Sequence, residues 1–88
     1  MIDPHSVLDE AKEIIGERGQ NYGGIEDNFT NISLIMARST NRMLSPYDIA
    51  MLMVAVKLSR ISQSPGKRDS YLDAINYLAF ACELIGAE

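Results

Sequence analysis

The sequence predicts an all-α fold, a compact four-helix bundle forming one helical domain over residues 1–88. Three observations predict it. Apolar residues recur at helical spacing in four successive segments, the boundaries carry glycine, proline or serine, and Ser45-Pro46 with Asp48 forms a helix-start signal. A strand reading fails on composition. The longest apolar run, "IAMLMVAV" from Ile49 to Val56, is rich in Ala and Met, and no hairpin signal divides it.

The first helix is expected to start near Asp3 or Ser6, with Pro4 in the first turn, where its missing N–H costs nothing. Val7, Leu8, Ala11, Ile14 and Ile15 form its apolar stripe, and the helix is expected to end by "GERG". "RGQNYGG" interrupts the pattern. A second stripe follows, through Ile25, Phe29, Ile32, Ile35 and Met36 toward Arg38.

The third helix should begin at Pro46, capped by Ser45 and Asp48. Between Ile49 and Val56 it is apolar on every side, so it must meet protein all round, either three neighbouring helices or a partner subunit. Self-association into a homo-oligomer is therefore expected. "SQSPGKRDS" makes the next turn, and the fourth helix starts at Arg68 or Asp69 and stops at Gly86. Tyr71, Ala74, Ile75, Leu78, Ala81, Cys82 and Ile85 make its broad apolar set, with Cys82 read as an inert core thiol. The short turn makes the third and fourth helices an antiparallel hairpin.

A formal net charge of −4 argues against binding to duplex nucleic acid or an anionic membrane, while leaving room for a local basic pocket. A single cysteine excludes an internal disulfide framework and fits a reducing compartment. The N-terminus lacks the basic and apolar regions of a secretion signal, and no apolar run approaches the roughly 20 residues that cross a bilayer. A soluble cytoplasmic protein is expected. The sole histidine, His5, has no cysteine or histidine neighbours that would make a zinc motif.

One polar constellation stands out. Lys57, Arg60, Lys67 and Arg68 crowd around a single turn, facing Asp69 and Asp73. Met53, Lys57 and Arg60 share one helix face by spacing, as do Asp69, Asp73 and Asn76 on the next helix. Two readings follow. In the structural one, Lys57 and Arg60 pair with Asp73 and Asp69 and lock the hairpin. In the functional one, the aspartates aim the four basic side chains at a phosphorylated nucleotide, assisted by the amides that open the fourth helix. Tyr22 and Asn28 flank the glycine-rich entrance, where they can contact a base, or else cover the core and cap the second helix.

An enzyme reading competes with both. Glu10 and Glu13 on the first helix, with Asp69 and Asp73 on the fourth, are candidate ligands for magnesium, which would polarise a phosphate and activate water. The alternative for the glutamates is a solvated helix face. The lead reading needs no metal or other cofactor.

"YGGIEDNF", "PYDIAMLMVAVKLSR" and "SPGKRDSYLDAINY" together resemble a family of small phage and prophage domains of unknown function. The resemblance runs from Tyr22 to Tyr77 and rests most on Tyr22-Gly23, Asn28-Phe29, Lys57, Arg60, Arg68-Asp69-Ser70 and Asp73. It implies a phage-associated helical protein, loosely similar to the MazG-type nucleotide pyrophosphohydrolases, which oligomerise and use magnesium held by two acidic motifs. Glu10 and Glu13 resemble one such pair, but Asp69 and Asp73 are spaced differently and Lys57 and Arg60 stand where acids would be needed. Small phage proteins that sequester host signalling nucleotides, an anti-defence role, are a further analogy in size and charge. A third reading is a helical assembly or inhibitor protein with no small ligand.

Overall fold

The computed structural model describes residues 2–21 and 25–88, with side chains described outside 18–26. It contains four helices, α1 (Pro4–Asn21), α2 (Ile25–Thr40), α3 (Pro46–Gln63) and α4 (Arg68–Ile85), and no strand among the described residues. The bundle is built on the α3–α4 hairpin, whose helices share the most extensive packing; α1 packs against α4 and α2 against α3.

Local chemistry accounts for the helix ends. Asp3 opens α1 by accepting the His5 N–H on its carboxylate at 3.1 Å, and Pro4 follows as the first helical residue. Ser45 and Asp48 form the expected reciprocal box: the Asp48 N–H donates to Ser45 Oγ at 3.1 Å and the Ser45 N–H to Asp48 Oδ2 at 2.9 Å. α2 stops where Asn41 turns left-handed, at φ 56°, while still donating to the Ala37 carbonyl. α4 closes in a Schellman arrangement around Gly86 at φ 70°, with Gly86 N–H donating to Glu83 and Ala87 N–H to Cys82.

α1 does not end at "GERG" as expected but continues to Asn21. A single glycine costs a helix interior only about 1 kcal/mol, too little to end a helix by itself. Gly16 is accordingly helical.

The main core gathers Phe29 from α2, Ile49 and Ala50 from α3 and Ala81 from α4, with Ile32, Met36, Tyr47, Tyr77, Phe80 and Leu84 packed around them. Phe29 and Tyr77 stack with ring centroids 6.1 Å apart. Ala11, Val54, Leu72 and Ala74 are buried as well. Ser33, buried on α2, is satisfied by donating its hydroxyl back to the Phe29 carbonyl.

Of the two covers expected for α3, three surrounding helices are not what this chain supplies: Ile49, Ala50 and Val54 face inward, but Met51, Leu52, Val56 and Leu58 are exposed, because α4 and α2 cover only one arc of the helix. A second expectation is corrected. Cys82 is exposed rather than a core thiol. Its neighbour Ala81 takes the inward position, and a step of about 100° along the helix carries Cys82 out of the contact. No helix of the described residues is long and apolar enough to cross a membrane.

Candidate functional site at the hairpin turn

The hairpin brings the four basic residues of the turn to one end of the molecule and then sorts them into different roles. Lys57, on the inner face of α3, points across to α4, where its Nζ lies 2.9 Å from Asp73 Oδ2; the two side chains are only 12% and 14% exposed. That is the interhelical lock, made by Lys57 with Asp73. A cation so enclosed presents little surface to a ligand.

Arg68, the first residue of α4, turns toward α1. Its Nε and Nη2 both approach Glu10 Oε2 at 2.7 Å, tying the start of α4 to the middle of α1. These side chains are 36% and 43% exposed, so water still reaches the pair.

Arg60 and Lys67 behave differently. Neither makes an ion pair among the described residues, and both line an open hollow of about 330 Å³ shared with Gln63, Ser64, Asp69 and Ser70. Lys67 is also the residue before α4, and its side chain makes no capping bond. The first-turn amides of α4 therefore lack the oxygen partner that Ser, Thr, Asp or Asn would supply there. Of the ionisable groups lining the hollow, two are positive and one, Asp69, is negative.

Asn28 does not join this hollow. It is exposed near the start of α2, beside Phe29, whose ring meets Tyr77; along α4, Tyr77 stands ten residues from Lys67, about 15 Å of helical rise. Tyr22 lies outside the described residues.

The alternative magnesium set is not assembled. Among the described residues no three His, Cys, Asp or Glu side chains stand together as a metal site. Glu10 is taken by Arg68 and Asp73 is turned inward to Lys57, while Asp69, one turn earlier on α4, borders the hollow. The donor set does not fit a magnesium centre within one chain.

Asn76 is a buried polar residue to which the sequence pattern assigns no role. It is 4% exposed, and neither its amide nitrogen nor its amide oxygen has a hydrogen-bond partner. It follows Asp73 by three positions and shares its helix face, so the only sequence signal was that spacing. Glu10 as the partner of Arg68 had no local signal at all. The two are 58 residues apart.

The class is an all-α bundle whose hairpin turn carries two paired cations and, among the described residues, two unpaired ones. The chain belongs to the family of domains of unknown function DUF6378, whose model matches residues 6–85. It is similar to the Gene 55 protein of Mycobacterium phage D29, with 37% identity over 73 residues, covering 82% of this chain and 48% of that protein. The Gene 55 protein of Mycobacterium phage L5 is 31% identical over 74 residues, covering 82% and 47%. The chain thus spans about half the length of these curated relatives. No solved structure matches it. The phage association expected from the sequence agrees with the origin of both relatives, while neither the family description nor the relatives' names carry the likeness to MazG-type enzymes.

Proposed function

We propose that this domain binds a small phosphorylated ligand of the nucleotide class at the α3–α4 turn, and holds it without cleaving it. The observation that carries this reading is the convergence of Arg60, Lys67 and the uncapped start of α4 on one open hollow. Arg60 supplies a planar fork for phosphate oxygens and Lys67 a mobile point charge, and Asp69 borders the same hollow without pairing with either. Lys57 and Asp73 act one step back: they fix α3 against α4 so that the hollow keeps its shape, while Glu10 holds Arg68 away from it. Sequestration fits this arrangement better than hydrolysis, since the acids that would hold a metal are spread over separate contacts.

The test is calorimetric titration with a panel of linear and cyclic nucleotides and with inorganic phosphate, in the presence and absence of magnesium, followed by chromatography of the recovered ligand. An intact nucleotide bound by wild type, with affinity reduced about tenfold or more in Arg60→Ala/Lys67→Ala, is the expected result. No heat with any of these ligands, or wild-type affinity in the double variant, refutes the site. A cleaved nucleotide refutes the sequestering role.

A further inference from the structure

The outer arc of α4 is apolar where a surface helix should be charged. Tyr71, Ile75, Leu78, Cys82 and Ile85 repeat at steps of four and three, the spacing of a helix-pairing seam, over about 21 Å. Leu78 is 48% exposed and Ile85 58% exposed; Tyr71 and Cys82 are exposed and Ile75 partly so. No charged residue occurs in α4 between Asp73 and Glu83. The polarity is inverted: Asp73 and Asn76 face inward while leucine and isoleucine meet solvent.

The surface of the whole chain is large enough for an interface. A compact monomer of 9.8 kDa should expose about 5,200 Å². This chain exposes 6517 Å². The excess, about 1,300 Å² over the whole chain and shared by exposed apolar residues of all four helices, leaves room for the roughly 800 Å² per partner that a standard stable interface buries.

We infer that the α4 seam docks on the same seam of a second copy of this chain, forming an isologous antiparallel helix pair. The seam is self-complementary about its centre. In a two-fold arrangement through Leu78, that residue meets its own copy, Ile75 meets Cys82 and Tyr71 meets Ile85, so every apolar position finds another and no charge is buried. Tyr71 is already oriented for this, because its hydroxyl donates to the Pro65 carbonyl at 2.8 Å and fixes the ring at the edge of the seam. The inference is independent of the anion site at the turn.

Sedimentation equilibrium of the whole chain at micromolar concentration tests it. Wild type is expected at twice the 9.8 kDa chain mass. Leu78→Glu should weaken the pair at least about thirtyfold, as loss of a central contact does, with an unchanged helical circular-dichroism spectrum. Leu34→Glu, an equally exposed change on α2, should leave the mass alone. Should Leu78→Glu not fold, Leu78→Cys in a Cys82→Ser background provides the second readout, since only a two-fold pair through position 78 brings those thiols close enough to form a disulfide under mild oxidation. A monomeric wild type, a mass unmoved by folded Leu78→Glu, or failure of the cysteine variant to cross-link overturns the proposal.

Discussion

Lys57 and Asp73 form a 2.9 Å ion pair between α3 and α4, with both side chains almost withdrawn from water. Such a pair specifies geometry more than it adds stability, because desolvating two ions offsets most of their attraction. Its removal is asymmetric. Asp73→Ala strands the Lys57 cation in a nearly dry site and should cost about 3 kcal/mol in urea denaturation. Adding Lys57→Met should recover part of that loss, since the methionine keeps the packed stem and removes the stranded charge. No recovery would show that the lock is not what Asp73 contributes.

Arg68 and Glu10 predict a smaller effect on stability and a larger one on binding. The pair is exposed enough that Glu10→Gln should cost at most about 1 kcal/mol. The same change releases Arg68 at the start of α4. Affinity for a phosphate-bearing ligand at the turn should then rise, measured by titration beside wild type. A fall in affinity would mean that the α1 tether shapes the hollow more than it withholds a cation.

Asn76 makes the reverse prediction. A buried amide with neither atom partnered carries a desolvation cost of about 1–3 kcal/mol, and an apolar side chain of similar volume escapes it. Asn76→Leu should therefore raise the unfolding temperature of the free protein. A clear loss of stability would identify a bound water or ligand group as the missing partner.

The box at the start of α3 is the simplest case. Ser45→Ala removes the oxygen that satisfies the Asp48 N–H, and should destabilise the fold by about 1 kcal/mol without altering ligand binding or association. Urea denaturation measures the first and titration the second.

The helices were legible because their signals are local. Pro4 behind Asp3, Ser45-Pro46-x-Asp48 and Gly86 each act within one turn of chain, and each marks its boundary as expected. Gly16 and Gly19 misled for the same reason: a glycine signals only a weak local preference, and the rest of α1 outweighs it. The apolar sets of α3 and α4 were legible as sets, but periodicity does not say how wide an arc the neighbours cover. Hence Cys82 on α4 is expected inside and lies outside, and Met51 on α3, expected to meet either neighbouring helices or a partner, is left exposed by the neighbours within one chain.

At the hairpin turn the residue types alone identified a charged cluster but not its division of labour. Lys57, Arg60, Lys67 and Arg68 are equivalent in composition, within a dozen positions of one another. Which of them is neutralised depends on which carboxylate the packing carries within about 3 Å, and Coulomb attraction across a desolvated gap rewards only that proximity. Chain order placed four helices and a basic turn. The docking of α1 on α4 gave Glu10 to Arg68, the pairing of α3 with α4 gave Asp73 to Lys57, and what these contacts left over, Arg60 and Lys67 beside an open hollow, is a property of three-dimensional packing that no local pattern encodes.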